Sequence, residues 1–247
     1  MIPIRDANPS GTKPWVTISL ISLNIAVFLY QATLPSVELH HFTLSYGLIP
    51  GLVSGRINPA SIPGGDTGML VRFFSSLFLH GGLMHLLANM WYLWIFGDNV
   101  EDRLGHGRFF LLYLAWGFAA SIAQIVANVS SPVPIIGASG AIAGVLGAYL
   151  ICFPIARVTV YLPPFFFFRL PASLVLSIWF VMQLFQGTLD AGIGGTGVAW
   201  WAHIGGFLAG ALAARYVPCH RKSKQADYTV WFDQTTGRKV IDIDPDR

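Results

Sequence analysis

The chain has 247 residues, of which 54% are hydrophobic and 11% charged, and it carries a formal charge of +3. A soluble domain of this size carries about 25% charged residues, and a mean hydropathy of +0.58 adds to the case for a polytopic membrane protein. No phosphate-cradling glycine loop and no basic–aromatic stripe is present, which argues against a nucleic-acid partner. The two cysteines, Cys152 and Cys219, give neither a disulfide framework nor metal-ligand spacing.

Apolar blocks of roughly 20 residues match a hydrocarbon core about 30 Å thick. In chain order they predict six spans, at 15–33, 77–97, 109–128, 139–153, 170–187 and 198–217. The first follows Arg5 and Lys13 and is too long for a signal-peptide core, so it reads as a retained helix. Residues 34–76 form a first loop with several Pro and Gly and few charges, too apolar for a free linker, that folds at the interface. His40 and His41 read as loop residues, and 163-PPFFFFRLP-171 as an interfacial aromatic hinge. The tail, 218–247, contains 228-YTVWFDQTTGRKVIDI-243, whose alternation around Thr-Gly predicts a small hairpin.

Lysine and arginine set the orientation. Arg5, Lys13, Arg103, Arg108, Arg157, Arg169, Arg221, Lys222 and Lys224 fall in the N-terminal segment (1–14), 98–108, 154–169 and the tail, with Arg215 at the inner end of the last span. The opposite side holds Arg56 and Arg72. Both termini are therefore expected in the cytoplasm.

Polar side chains inside spans mark function by default. Three groups qualify: 80-HGGLMHLLAN-89, Ser139 in 137-GASGA-141, and His203 in 200-WWAHIGG-206. A helix over 139–153 is about 22 Å long, too short to cross, so Ser139 begins its helix below the outer surface, preceded by irregular backbone at 132–138. Counting along the second and sixth spans places His85, Asn89 and His203 in the same outer half. Serine needs a base to become a nucleophile, and histidine titrates near working pH. No acidic residue lies within the predicted spans, which points to a Ser139–His203 dyad without a third member. His85 and Asn89, four apart on one helix face, supply donors for an oxyanion together with the Ser139 N–H. Gly206 and Gly210, with His203, and Gly140 and Gly144, beside Ser139, form small-residue strips that let the fourth and sixth spans approach closely. His80 reads as structural, Gln124 as a helix–helix bond, and Glu101 as a partner of loop backbone or a neighbouring charge.

Together, H-x4-H-x3-N (His80, His85, Asn89), G-x-S-G (Gly137, Ser139, Gly140) and A-H-x-x-G-x3-G (Ala202, His203, Gly206, Gly210) resemble the rhomboid intramembrane serine proteases, as does E-x3-G at Glu101 and Gly105. The similarity covers about 15–217. It implies an all-α six-helix membrane domain of the bacterial type, in an inner membrane, with Ser139 as nucleophile, His203 as base, and His85, Asn89 and the Ser139 N–H as oxyanion hole. It implies single-span membrane proteins as substrates and no cofactor or metal. It also implies a gating fifth helix (Trp179, Phe180, Phe185) and a cap loop at 191–197. Many members carry a Trp–Arg pair in the first loop; residues 34–68 contain no tryptophan. The alternative is an inactive relative that binds or escorts membrane helices; retention of both Ser139 and His203 argues against it. A channel is disfavoured because the spans show no paired half-repeats, no ion-coordinating carboxylate and no charged pathway. Zinc or aspartyl protease chemistry is disfavoured by the absence of HExxH and of paired intramembrane aspartates.

Overall fold

A computed structural model describes residues 1–164, 166–193, 197–217, 228–232 and 239–243. Phe165, the centre of the 191–197 loop, Cys219, Arg221, Lys222, Lys224 and the Thr236–Gly237 turn lie outside the described residues.

The order is β1 (Ile2–Asp6), α1 (Trp15–Thr33), α2 (Ser36–Tyr46), α3 (Pro50–Val53), a 3-10 turn (Pro59–Ser61), α4 (Met69–Ser75), α5 (Leu83–Leu104), α6 (His106–Ala127) and α7 (Ser139–Cys152). Then follow β2 (Arg157–Leu162), β3 (Phe166–Pro171), α8 (Ala172–Ile193), α9 (Trp200–Tyr216), β4 (Tyr228–Phe232) and β5 (Lys239–Ile243). Among the described residues, Trp15–Thr33, His106–Ala127 and Ala172–Asp190 are helices long and apolar enough to cross a membrane.

The centre of the bundle is α7. Every residue from Gly140 to Tyr149 is buried, and its small side chains let α5, α6, α8 and α9 pack around it. The outer helices turn apolar side chains away from that core: α8 exposes Ile178, Val181, Met182 and Phe185. Such a surface is costly in water and neutral against lipid tails.

The fold is mostly helical but not all-α. Strand β1 pairs antiparallel with β2, and β2 with β3. Val158 and Val160 alternate inward and are fully buried in the main core. Residues 166–171 of the expected aromatic hinge are therefore a strand. The terminal hairpin is present as β4 against β5.

Span limits differ most in α5. Its expected start at 77 is displaced to Leu83, because residues 76–82 are turn and irregular backbone with the main-chain groups of His80 bonded to Gln31, and its expected end at 97 moves to Leu104. The third span is 106–127, not 109–128, and the fifth is 172–193, not 170–187. As a result Asp98, Glu101, Asp102 and Asp190 lie within helices. The N-terminal segment covers this end of α5: Gly11 N and Thr12 Oγ1 donate to Asp102 at 3.1 and 2.6 Å. Glu101 is completely buried. Its carboxylate accepts from Val16 N (2.8 Å), Thr17 N (2.7 Å), Thr17 Oγ1 (2.7 Å) and His106 Nδ1 (2.6 Å). It thereby caps α1, whose first N–H groups have no intrahelical acceptor.

The first loop folds as α2, α3 and α4, and His40 and His41 sit on α2. Arg72 is the fastener. Fully buried, its guanidinium donates to the carbonyls of Leu44 (2.6 Å), Gly47 (2.9 Å), Gly64 (2.6 Å) and Thr67 (3.4 Å). Leu48 in turn bridges Ile135, which ties the loop to the strand-like approach to α7.

Candidate active site

Ser139 is the first residue of α7, and the chain reaches it through irregular backbone. Gly137 N donates to Ser76 O at 2.8 Å, and Ile135 N to Leu48 O at 2.8 Å. Gly137 has φ +115°, and a Cβ there would lie 2.7 Å from His85 Nε2 and 3.6 Å from Asn89 Nδ2. Only glycine satisfies both the backbone angle and the space. The same numbers locate His85 and Asn89: both reach from α5 to the segment just before Ser139.

His203 lies in the first turn of α9. Its Nε2 is 2.9 Å from Ser139 Oγ. The pair forms because α9 lies against the backbone of α7. A Cβ on Gly206 would sit 2.0 Å from Gly140 O, and one on Gly210 would sit 1.8 Å from Gly144 O. Gly140 and Gly144 serve a different neighbour from the one expected: their missing Cβ atoms make room for α6, where Ala120 Cβ and Trp116 Cβ would be 2.6 and 2.5 Å away. The strips thus work in relay, with α9 close on α7 and α7 close on α6.

Asn89 is buried, and its Nδ2 has no protein acceptor. A buried donor without a partner is costly, and this one faces the approach to Ser139. Gly81 N donates to His85 Nδ1 at 3.4 Å, which leaves the Nε2 of His85 as the N–H directed toward Gly137. A cavity of about 10 Å³ beside Ser139, lined in part by Ser76, Ser121 and Gly137, has room for about one water.

His80 lies outside α5, held by Gln31 on both main-chain groups: its N–H donates to Gln31 Oε1 (3.0 Å) and its carbonyl accepts from Gln31 Nε2 (3.2 Å). Gln124 accepts from Ala202 N at 3.1 Å, joining α6 to the start of α9. One contact was missed by sequence reasoning. Gln183 of α8 places Oε1 2.7 Å from His203 Nδ1. The available signal was helical spacing: Gln183 follows the buried Leu176 and the half-buried Trp179 by seven and four residues, so an amide stands on the inward stripe of an apolar helix.

The Rhomboid domain family model matches residues 67–218. The chain belongs to the rhomboid family. It is 37% identical over 143 residues to the Rhomboid protease GluP of Bacillus subtilis (strain 168), covering 58% of this chain and 25% of that protein. It is 29% identical over 216 residues to RHOMBOID-like protein 1 of Arabidopsis thaliana, covering 81% of this chain and 52% of the relative. To Rhomboid protein 1, mitochondrial, of Saccharomyces cerevisiae (strain ATCC 204508 / S288c) it is 30% identical over 156 residues, covering 60% and 42%. The chain spans between about a quarter and about half of the length of these relatives. Family membership and the apolar helices together make this rhomboid an integral membrane protein of mostly helical fold, with the bilayer as its environment. Ser139, His203, His85 and Asn89 lie within the matched range.

Proposed function

We propose that the chain is an intramembrane serine endopeptidase that hydrolyses peptide bonds in or near the transmembrane helices of single-span membrane proteins. The observation that carries this reading is the 2.9 Å approach of Ser139 Oγ to His203 Nε2, with the unpartnered Asn89 Nδ2 on the adjoining side. His203 Nε2 takes the proton from Ser139 Oγ, and the oxygen attacks the scissile carbonyl carbon. The carbonyl oxygen gains negative charge and receives hydrogen bonds from Asn89 Nδ2, His85 Nε2 and the Ser139 N–H, which has no intrahelical acceptor at this position. His203 then protonates the leaving amine. In the second half, His203 removes a proton from water, the hydroxide attacks the acyl ester, and Ser139 leaves with its proton restored. The residues that act are all supplied by the protein, and no cofactor or metal is required.

The same reading sets the architecture. Helices α1, α5, α6, α7, α8 and α9 are the six membrane spans of a domain over 15–217, flanked by an N-terminal segment (1–14) and a tail (218–247). Short α7 is sheathed by its neighbours from Gly140 to Tyr149 and needs no lipid contact there. The N-terminal strand, the α5–α6 turn and the β2–β3 hairpin gather at one end through the Glu101, Asp102 and β1–β2 contacts. That end carries Arg5, Lys13, Arg103, Arg108, Arg157 and Arg169, so it faces the cytoplasm. The site opens toward the opposite leaflet, in a bacterial inner membrane.

Cleavage of a fluorescent single-span substrate in proteoliposomes tests this. Wild type should cleave, whereas Ser139→Ala and His203→Ala should fall to background. Binding of the substrate without cleavage by wild type would favour the escort reading, and cleavage by Ser139→Ala at the wild-type rate would exclude the proposal.

A further inference from the structure

A histidine can act as base toward Ser139 only as the tautomer whose proton is on Nδ1, leaving the Nε2 lone pair toward the hydroxyl. Gln183 faces that proton. Its Oε1 is 2.7 Å from Nδ1, and the residue is 7% exposed. The contact on its other side favours this amide orientation: Gln183 Nε2 lies 3.4 Å from Trp179 O, a long hydrogen bond. With the amide flipped, two oxygens would face each other at Trp179, and the NH2 would require Nδ1 as an acceptor. The proton would then sit on Nε2 and be donated to Ser139, which would block base action. The rings of Trp179 and Trp200 each lie with their centroid 6.1 Å from that of His203.

We propose that Gln183 is the positioning residue of the base: it accepts the Nδ1 proton and so selects the catalytically competent tautomer and ring rotamer of His203. The chain of groups is then Ser139, His203, Gln183, drawn from α7, α9 and α8. A neutral amide costs less to bury at this depth than a carboxylate, so it orients the ring without placing a charge among apolar helices. The kinetic consequence rests on the protease reading above; the tautomer does not.

The test compares wild type, Gln183→Leu and Gln183→Glu as full chains in proteoliposomes, with nitrogen NMR of the ¹⁵N-histidine-labelled protein. The His203 resonance is assigned by its loss in His203→Ala. Gln183→Leu should lower kcat by about ten- to a hundredfold with KM within about twofold, and its His203 should gain the Nε2–H tautomer. Gln183→Glu retains a carbonyl acceptor in either protonation state and should recover kcat to within about threefold of wild type. The proposal is overturned if Gln183→Leu keeps both the wild-type kcat and the Nδ1–H tautomer. It is equally overturned if kcat and thermal stability fall together at an unchanged tautomer, or if Gln183→Glu fails to recover activity. Cleavage by Ser139→Ala would instead sink the protease reading, and the nitrogen spectra would still decide the role of Gln183.

Discussion

Gly206→Ala is the sharpest probe of how packing makes the site. The added Cβ would lie 2.0 Å from Gly140 O, where ordinary contact begins at 3.4 Å. Both partners are helix backbone, so neither can rotate away, and α9 must move off α7 by on the order of 1 Å. The Ser139–His203 contact of 2.9 Å would then open to about 4 Å, beyond a hydrogen bond. A displacement of that size costs about a hundredfold in rate, on top of an overpacking penalty of about 1–3 kcal/mol. Gly147→Ala separates the two effects. Its Cβ would meet Phe207 O at 2.0 Å, an equal clash in the same interface but about 12 Å along α7 from Ser139. Thermal midpoints in detergent should fall comparably for the two variants, while kcat in proteoliposomes falls far more for Gly206→Ala. Equal losses of kcat at matched stability would refute the link between helix approach and the reactive pair.

Three further outcomes follow from the same contacts. Asn89→Ala should lower turnover about 10²- to 10³-fold, the cost of one oxyanion donor, without lowering the thermal midpoint, since the Nδ2 satisfies no protein acceptor; a matching stability loss would make it a structural residue. Arg72→Met strips donors from four carbonyls and should cost about 3 kcal/mol or more, read as faster limited proteolysis within 44–67; unchanged cleavage would count against its role as the loop fastener. Burial pushes the Asp6 carboxyl up to about 6, against the Tyr149 hydrogen bond and with help from Asp98. The folded chain therefore holds this proton more tightly than the unfolded one, and its contribution to stability falls as pH rises from about 4 through about 6. The thermal midpoint of Asp6→Asn should gain on wild type between pH 4.5 and 7, and a constant gap would contradict this.

Local signals carried much of this organisation. Trp15–Thr33 matches the apolar block residue for residue, and α7 begins at Ser139 because a positive-φ glycine two residues earlier turns the chain into the helix. The spacing of His85 and Asn89 and the small residues of α9 were readable for the same reason: helical periodicity is local. Non-local partners hid the rest. Strand β1 finds β2 some 150 residues away, and the phenylalanine run reads as an interfacial hinge until the pairing of β3 with β2 is known. The extension of α5 past Asp98 depends on the N-terminal segment, which donates to Asp102 and presents the first turn of α1 to Glu101. Gln183 escaped notice because an amide in an apolar helix carries no charge to flag it, and its partner sits on another helix. The glycines of α7 were recognised as a strip, but only the packed structure assigns them to α6.

Covalent capture tests the central claim most directly. Wild type in liposomes, treated with a fluorophosphonate probe and examined by intact mass and peptide mapping, should carry a single adduct on Ser139. That adduct should be absent from Ser139→Ala and reduced to background in His203→Ala. A folded wild type that takes no adduct at Ser139, or labelling there that is indifferent to the loss of His203, would contradict an activated serine.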